Sequence, residues 1–307
     1  MMHAGEVAIE ATLVRRLLAG QFPQWADEPI TAVDSAGTDN ALFRLGDGKV
    51  VRLPRIHWAV DQVDKERQWL PELAPHLPLA VPRPLAIGTP GEGYPWPWSI
   101  STWLDGENAT LDRLVDPQRA AGDLAAFIRA LQTISTTGAP APSDSDRGVL
   151  LAVRDAPIRA ALDHLRDLAA RGIVLIDTDR ATAVWDSVLA DPPWSGPPVW
   201  LHGDLQSGNL LARGGRLSAV IDFGCLAIGD PACDLQPAWN LFTGDSRAAF
   251  REAMGVDNRA WARGRGWALS VGLIALPYYY QTNPVLAGIA RQTIVAVLAD
   301  HGPLMKQ

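Results

Sequence analysis

The chain has 307 residues, enough for one two-lobed unit or two domains with a substantial core. Its formal net charge of -7 and its pI near 5.3 argue against nucleic acid or an anionic membrane surface as the main partner. The N-terminus has no basic region followed by an apolar run, and no window approaches membrane-spanning length, so we expect a soluble cytoplasmic protein.

The N-terminal third predicts a small β-sheet accompanied by helices. Residues 7–18 and 60–73 carry apolar side chains at helical spacing, and a glycine or a proline lies near the end of each run. Residues 30–45, interrupted by small polar residues, predict two strands, and residues 49–53 predict a third. Pro-rich segments that suit edge strands and turns follow, and residues 98–104 predict one more strand.

A loop of small residues joins the first two predicted strands. It contains Ser35, Gly37 and Thr38, whose backbone N–H groups and hydroxyls can lie over phosphates. The loop has one glycine and no P-loop pattern, so an ordinary hairpin loop is the better explanation of this segment when it is taken alone.

The rest of the chain is mostly helical in pattern. A loop rich in Pro, Ser and Asp at residues 136–147 separates the first of these helices from the next. A second Pro-rich segment leads into a stretch of short apolar runs near residue 200. The predicted helices are residues 118–134, 156–170, 178–189, 235–241, 246–254, 258–276 and 284–300.

Two short apolar runs, residues 199–201 and 217–221, predict buried strands that are each followed by an aspartate. Asp204 follows the first run, Asn209 comes five positions later, and Asp222 follows the second run. A loop Asp near the acceptor hydroxyl, an Asn on the same loop and a second Asp for a metal ion make up the phosphotransfer site of protein kinases. Asp and Asn are also ordinary turn residues, but finding both motifs in order and a strand apart favours the catalytic interpretation.

The chemistry of phosphoryl transfer explains these residue types. Mg²⁺ bridges the phosphates of a nucleotide through a few hard oxygen ligands and keeps some of its waters, and the carboxylate of Asp222 and the amide oxygen of Asn209 fit that role. An aspartate with an unperturbed pKa of about 3.9 is a weak base, so we expect Asp204 to orient the acceptor hydroxyl and to take its proton late.

Three motifs occur in this stretch: His202-Gly203-Asp204-Leu205-Gln206-Ser207-Gly208-Asn209-Leu210, Ile221-Asp222-Phe223-Gly224 and Gly229-Asp230-Pro231. Together they resemble the aminoglycoside phosphotransferase family, the antibiotic-kinase branch of the protein-kinase-like fold. The resemblance implies an α+β, two-lobed fold. Residues 1–104 would form a small antiparallel sheet lobe with a helix that ends in the inter-lobe linker, and residues 105–307 a larger, mainly helical lobe.

The resemblance also implies roles for individual residues of the central stretch. Asp204 would be the catalytic residue, and Asn209 and Asp222 would hold Mg²⁺. His202 and Asp234 would support the catalytic loop, although a helix N-cap explains Asp234 equally well.

In the N-terminal lobe the resemblance implies a nucleotide site. Arg52 occupies the position of the usual phosphate-binding lysine, and Glu66 occupies that of its partner on the next helix. An arginine can still bind phosphate, but as a planar fork rather than as a compact point charge. A surface arginine and a solvated glutamate are the alternatives. The backbone of Thr102 and Leu104 would bind the nucleotide base, without distinguishing ATP from GTP.

Only two cysteines occur, Cys225 and Cys233, both close to the predicted metal-binding stretch. They have no further Cys or His at ligand spacing, which argues against a zinc site. We therefore expect two buried, reduced thiols rather than a disulfide.

The implied activity is Mg²⁺-dependent transfer of the γ-phosphoryl of ATP or GTP to a hydroxyl of a small molecule, by default an aminoglycoside or another antibiotic. A polycationic acceptor calls for a carboxylate-lined pocket, yet residues 235–307 contain four acidic and seven basic residues. An Asp-rich segment that includes Asp144 and Asp146 can supply carboxylates, and aromatic side chains such as Tyr278 suit a less charged acceptor. A metabolic kinase of choline, homoserine or sugar type and a nucleotide-binding pseudokinase are the alternatives, and the oligomeric state stays open.

Overall fold

The structure is a computed structural model that describes residues 6–139, 147–174 and 176–302. Its N-terminal part is a five-stranded antiparallel sheet, with one helix before the first strand in the chain and one between the third and fourth strands. The elements are α1 (Ala11–Gln21), β1 (Ile30–Ala32), β2 (Asn40–Leu45), β3 (Lys49–Pro54), α2 (Val60–Leu73), β4 (Pro84–Gly88) and β5 (Trp98–Thr102). The strand order is β1-β2-β3-β5-β4, so the Pro-initiated β4 lies at an edge, where no second neighbour needs its N–H groups.

The two faces of this sheet have different tasks. In β2 every second residue is buried, and Ala41, Phe43 and Leu45 pack with Leu17 of α1 and Trp98 of β5 in one apolar cluster. This alternation is what a strand with one core-facing side requires. On the opposite face, Arg52 of β3 contacts Glu66 of α2 and Asp222 of the helical part of the chain. We call the region around these contacts, between the two parts, the cleft.

The C-terminal part is a helical lobe organised around one long helix that is buried along most of its length. This helix packs most extensively against three other helices of the lobe and against the turn that contains Asp234. The helices are α3 (Pro117–Thr133), α4 (Asp155–Ala170), α5 (Thr178–Ala190), α6 (Pro237–Asn240), α7 (Gly244–Met254), α8 (Asn258–Tyr279) and α9 (Pro284–His301). The long central helix is α8, and its neighbours are α4, α5 and α9.

Four short strands between α5 and α6 carry the polar motifs toward the cleft, and a fifth short strand, which precedes α3 in the chain, pairs with one of them. They form a three-stranded sheet with the order β6-β8-β9 and a separate antiparallel pair of β7 and β10. Their bounds are β6 (Glu107–Asn108), β7 (Val199–Leu201), β8 (Leu210–Arg213), β9 (Arg216–Val220) and β10 (Ala227–Gly229). The two strands predicted in this stretch are therefore present, but they lie in different sheets, and three short partner strands were not predicted.

Most other predicted elements are present with shifted ends. The helix expected from residue 7 begins at Ala11, because the segment before it is extended and the N–H of Val7 donates to the carbonyl of Arg55 at 2.9 Å. The helix expected to end at residue 276 continues to Tyr279. None of the described helices is long and apolar enough to cross a membrane. The boundary between lobes at Leu104 stays a prediction.

Gly148 and Gly229 are in close backbone contact next to β7. Gly229 ends β10, and a Cβ built on it would overlap the carbonyl oxygen of Gly148, which accepts a hydrogen bond from the Asp230 N–H at 2.9 Å. We expect Gly229→Ala to lower the free energy of unfolding by about 1–3 kcal/mol, since the neighbouring backbone must move. Urea titration followed by circular dichroism measures this change.

Gly122→Ala is the matched control for that substitution. Gly122 lies within α3, and a Cβ there meets nothing within 4 Å. Alanine is favoured over glycine in a helix interior, so this variant should be about 1 kcal/mol more stable than the unsubstituted chain. Equal effects of the two substitutions would contradict the packing described here.

Candidate active site

A buried carboxylate fixes the loop that follows β7. Asp234 is fully buried, and its two oxygens accept hydrogen bonds from the backbone N–H groups of His202 and Gly203, each at 2.8 Å. Burial raises the pKa of Asp234, and these N–H donors oppose that shift without cancelling it. The structure thus places the Asp234 side chain on the backbone just before Asp204, where it holds the loop in one conformation.

His202 joins the two segments that carry the aspartates. Its ring is buried, with Nε2 3.0 Å from the carbonyl oxygen of Ile221, and Nδ1 accepts a hydrogen bond from the Asp204 N–H at 3.2 Å. The ring of Phe223 packs against it with a centroid separation of 4.7 Å. The residue before Asp222 and the backbone of Asp204 are therefore tied to the same imidazole.

Asn209 ties the loop back onto Asp204. Its amide nitrogen donates to the Asp204 carbonyl at 2.8 Å and to Oδ2 of the Asp204 carboxylate at 2.9 Å. The backbone carbonyl oxygen of Asn209 accepts a hydrogen bond from the N–H of Ile221 at 2.9 Å, which places Asn209 next to the segment of Asp222. Because the amide nitrogen is used in this way, the amide oxygen is the atom that Asn209 can offer to a cation.

Asp222 has a backbone conformation that is uncommon for a residue with a side chain. Its φ of 63° lies in the left-handed region, which aspartate tolerates better than most residues. Oδ1 accepts hydrogen bonds from Nη2 of Arg52 at 2.7 Å and from the Gly224 N–H at 3.4 Å. Burial alone would raise the pKa of Asp222. The positive charges of Arg52 and His202 and the hydrogen bonds that the carboxylate accepts together outweigh burial and lower the pKa overall, so the carboxylate is ionised at neutral pH.

Arg52 is held by polar groups from two sides. Its Nη1 donates to Oε1 of the buried Glu66 at 2.5 Å, and its Nη2 donates to Oε1 of Gln62 at 2.9 Å and to Asp222. The Asn40 amide lies 3.0 Å from Nη2 and 3.1 Å from Nε, with its oxygen turned toward the guanidinium. Burial would lower the pKa of Arg52, but the carboxylates of Glu66 and Asp222 outweigh burial and raise it.

The oxygen donors at this site suit Mg²⁺ that arrives with a nucleotide. No group of three or more His, Cys, Asp or Glu side chains that could hold a metal occurs among the described residues. Mg²⁺ usually takes only one or two carboxylates from the protein, and phosphates and waters complete its shell. The carboxylate of Asp222 and the amide oxygen of Asn209 satisfy that requirement.

The loop between β1 and β2 reaches across to the helical lobe. Within the loop the Gly37 N–H donates to Oγ of Ser35 at 3.0 Å. The hydroxyl of Thr38 lies 3.2 Å from the hydroxyl of Tyr279 at the end of α8, and the side-chain amide of Asn283 donates to the carbonyl that precedes Gly37 at 2.9 Å. The predicted phosphate loop therefore closes one end of the cleft.

The predicted base-binding segment lies at the end of β5. The Thr102 N–H donates to the carbonyl of Arg83 at 2.9 Å, and the Thr102 hydroxyl accepts from the Arg83 N–H at 2.9 Å. Leu104 follows the strand in irregular backbone. These contacts fix the start of the segment, and its role toward a nucleotide base stays a prediction.

Basic residues that were considered for an acceptor pocket form ion pairs inside the helical lobe. Arg265 bonds Asp300 at 3.1 Å, and Arg263 bonds the buried Asp230 at 2.8 Å. The excess of basic over acidic residues in the segment 235–307 is therefore not evidence for a basic acceptor pocket. Asp144 and Asp146 lie outside the described residues.

The aromatic residues considered for an acceptor separate into two groups. Trp239, Trp261 and Trp267 are buried in the main apolar cluster, so they pack the lobe. Tyr278 is 49% exposed at the end of α8, next to Tyr279, which contacts the loop between β1 and β2. Tyr280, the next residue, is partly buried and packs against the main apolar cluster. Of the aromatic residues considered for an acceptor, Tyr278 is thus the exposed one.

Sequence reasoning missed three residues that contact the predicted site. Asn40 and Gln62 contact Arg52, and the i,i+4 spacing of Gln62 and Glu66 on α2 was a signal that could have identified one of them. The third is Arg147, whose Nη2 lies 3.7 Å from Oδ1 of Asp204. No pattern in the sequence singles out Arg147, because its contact depends on how a loop folds back.

The cysteines do not form a disulfide with each other: both are free, Cys233 fully buried and Cys225 partly so. Burial raises the pKa of the Cys225 thiol to about 12 and that of Cys233 well above its ordinary value. Both thiols are therefore neutral at physiological pH.

Comparisons with known proteins place the chain in a family. The model of the phosphotransferase enzyme family (APH) matches residues 31–267, whereas no curated protein matched the chain. The GDP complex of wild-type aminoglycoside 2'-phosphotransferase-IIIa is 19% identical with a TM-score of 0.72, covering 95% of this chain and 100% of that one. The gentamicin-APH(2")-IIa complex is 17% identical with a TM-score of 0.62, covering 95% and 99%. Macrolide 2'-phosphotransferase MphH from Brachybacterium faecium is 23% identical with a TM-score of 0.57, covering 96% and 99%.

The structural likenesses establish the two-lobed, protein-kinase-like α+β fold. The family match covers more than three quarters of the chain and includes the segment from Ser35 to Asp234 in which all the predicted site residues lie. The chain therefore belongs to the phosphotransferase enzyme family.

Proposed function

We propose that this enzyme transfers the γ-phosphoryl of a nucleoside triphosphate to a hydroxyl of a small molecule, with Mg²⁺ bound at the cleft. The observation that carries the proposal is the convergence of Asp204, Asn209 and Asp222 with the Arg52–Glu66 pair. Hydrogen bonds of 2.7–2.9 Å link Asn209 to Asp204 and Asp222 to Arg52. These are the parts that phosphoryl transfer needs: an acceptor-orienting carboxylate, metal ligands and a phosphate-binding cation.

Each residue has a separate task in the proposed reaction. Arg52 binds nucleotide phosphate, and Glu66 keeps its guanidinium in place. Asp222 and the amide oxygen of Asn209 hold Mg²⁺, which neutralises phosphate charge when it is bound. Asp204 accepts a hydrogen bond from the acceptor hydroxyl and takes its proton as the new bond to phosphorus forms, while Asn209 and His202 fix the direction of that carboxylate.

The nucleotide is proposed to lie between the lobes. Its base would contact the backbone at Thr102 and Leu104, and the loop with Ser35, Gly37 and Thr38 would cover the phosphates. This loop supplies backbone N–H groups and a hydroxyl, and Thr38 is already oriented by Tyr279. We propose ATP or GTP as the donor, because solved structures of similar fold are GDP, ADP and ATP complexes of other phosphotransferases. We also place the boundary between the lobes at Leu104.

For the acceptor we propose an antibiotic of aminoglycoside or macrolide type. The support is that the similar solved structures are aminoglycoside and macrolide phosphotransferases. The exposed ring of Tyr278 offers apolar contact for such a molecule.

A broad acceptor screen tests this function. The purified protein is incubated with Mg²⁺ and ATP or GTP together with single aminoglycosides, macrolides, choline, homoserine and sugars, and each product is analysed for a mass gain of one phosphoryl group. We expect a phosphorylated antibiotic. Turnover of choline, homoserine or a sugar without any antibiotic product would instead show a metabolic kinase, and nucleotide binding without any transfer would show a pseudokinase.

A further inference from the structure

Arg147 brings a guanidinium to the catalytic carboxylate from the side opposite Asn209. Its Nη2 lies 3.7 Å from Oδ1 of Asp204, whereas the amide of Asn209 contacts Oδ2. At that distance the pair attracts electrostatically but is too far apart for a hydrogen bond. The Arg147 side chain is 20% exposed, so part of it remains accessible to solvent.

Tight packing holds Arg147 against the catalytic loop. Gly203 has a φ of +82°, and a Cβ built on it would lie 2.9 Å from the Cβ of Arg147. The next residue, Gly148, lies against Gly229 of β10 and the side chain of Leu201 in β7. The backbone that carries Arg147 is therefore part of the same rigid assembly as Asp204.

The charge of Arg147 is only partly balanced by its neighbours. It contacts the Cys225 thiol and lies near Cys233, but both thiols are neutral because burial raises their pKa values. Among the carboxylates of the described residues, Asp204 is the one within 4 Å of its guanidinium.

The other cations near the cleft have different partners. Arg52 is neutralised by Glu66 and Asp222, and Lys65 donates to the backbone carbonyl of Gly224 at 3.2 Å. A nearby cation lowers the proton affinity of a carboxylate, so the charge of Arg147 does not help Asp204 to take a proton. Its charge is better explained by a negative group that enters the site.

We propose that Arg147 is a further catalytic residue, whose guanidinium binds the phosphoryl group as it passes to the acceptor oxygen. The inference rests on the proposed function. An acceptor oxygen that is hydrogen-bonded to Asp204 lies about 2.7 Å from the carboxylate. The acceptor oxygen and the γ-phosphorus approach to about 3–3.5 Å before transfer. Oxygens of the phosphoryl group then fall within reach of a guanidinium that lies 3.7 Å from the same carboxylate.

The step balances without a further reactant. The bond between the γ-phosphorus and the bridging oxygen breaks, and its electron pair leaves with the nucleoside diphosphate. The acceptor oxygen forms the new bond to phosphorus and gives its proton to Asp204. Arg147 forms hydrogen bonds to the equatorial oxygens, where the charge is spread during transfer, and keeps its own protons.

The test compares Arg147→Gln with the unsubstituted enzyme, using hydrolysis of ATP as well as transfer, so that water can serve as acceptor. We expect kcat to fall about 10²- to 10³-fold, with the KM for ATP changed less than about threefold. Binding of ADP with Mg²⁺ and aluminium fluoride, a mimic of the phosphoryl group in flight, should weaken by a similar factor while binding of ADP alone is unchanged. Added guanidinium ion should restore part of the kcat of Arg147→Ala.

Arg154→Gln is the matched control. Arg154 is buried in the same segment and donates to the Ser270 hydroxyl at 2.6 Å, but no ion pair links it to Asp204. This variant should lose thermal stability and keep aluminium fluoride binding. If Arg147→Gln does not fold, Arg147→Lys is measured instead, and tenfold weaker aluminium fluoride binding with unchanged ADP binding supports the proposal.

Three results would overturn the role given to Arg147. The first is that kcat and aluminium fluoride binding are unchanged in the Arg147 variants. The second is a change confined to the KM of the acceptor, which would indicate that Arg147 recognises an anionic acceptor. The third is that guanidinium ion does not restore activity to Arg147→Ala. If the unsubstituted enzyme neither transfers phosphate nor hydrolyses ATP, the proposed function itself fails, which distinguishes the two cases.

Discussion

Replacing Asp204 by alanine or asparagine is expected to lower kcat for phosphoryl transfer by about 10²- to 10⁴-fold. The carboxylate is held by Asn209 and Gln206 on one oxygen and faces Arg147 with the other, so it has a defined direction in the cleft. Neither alanine nor asparagine can take the proton of the acceptor hydroxyl. Steady-state kinetics with the acceptor found in the screen measures the effect.

Nucleotide binding separates this role from a structural one. The substitution leaves Arg52 and Asp222 in place, and Asn209 keeps its hydrogen bond to the backbone carbonyl of residue 204. The Kd for ATP with Mg²⁺, measured by calorimetry, should therefore change less than about threefold. Asp245→Asn, an exposed aspartate in the first turn of α7, serves as the matched control and should have unchanged kinetics. Transfer at the unsubstituted rate by Asp204→Ala would refute the assignment of Asp204.

Replacing Arg52 by lysine is expected to weaken nucleotide binding by roughly 10- to 100-fold, although lysine is the usual residue at this position in kinase-like enzymes. The guanidinium is bound at three points, by Glu66, Gln62 and Asp222, and an ammonium on a flexible stem cannot match this planar arrangement. Each hydrogen bond to a charged group contributes about 1.5–3 kcal/mol. Calorimetric titration with ATP and Mg²⁺ measures the loss, and Arg67→Lys on the exposed face of α2 is the control.

Removing the charge of residue 52 altogether should also affect folding. Glu66 is 7% exposed, and burial already raises its pKa in spite of Arg52. In Arg52→Ala the backbone hydrogen bond from Phe223 is all that still opposes the effect of burial on Glu66, so the variant should be about 3–5 kcal/mol less stable at neutral pH. An acid whose pKa is higher in the folded state loses stability as pH rises through its unfolded value, so the deficit should shrink below about pH 4.

A second substitution checks that explanation. Arg52→Ala with Glu66→Gln removes the buried charge as well as its partner, and most of the lost stability should return. A deficit that stays the same at all pH values and in the double variant would mean that packing, rather than the charge of Glu66, causes the loss.

The parts of the fold that could be predicted are those whose signals are local. Helix α2 has the predicted bounds Val60–Leu73, and β7 has the predicted bounds Val199–Leu201, because apolar spacing and flanking Pro or Gly define both. The strands β6, β8 and β10 were not predicted. They are two to four residues long. Strands β6 and β10 pair with partners distant in sequence, whereas β8 forms a hairpin with β9 and also pairs with the distant β6.

The same distinction applies to the site. Asp204, Asn209 and Asp222 were identified because their spacing within one stretch is itself a motif, and the structure brings all three to one cleft. The contacts of Arg52 with Asn40 and Gln62 join neighbouring elements of the N-terminal lobe, and the contact of Arg147 with Asp204 joins two loops of the C-terminal lobe. Tertiary packing within each lobe creates these contacts, so the i,i+4 spacing of Gln62 and Glu66 was the one local signal for any of them.

A crystal structure with Mg²⁺ and a non-hydrolysable ATP analogue would show whether these residues surround a bound nucleotide. The expected result is a metal ion ligated by Asp222 and the amide oxygen of Asn209, a guanidinium of Arg52 on the phosphates, and the γ-phosphate facing Asp204. A nucleotide bound elsewhere, or bound here with Asp204 turned away from its terminal phosphate, would contradict it.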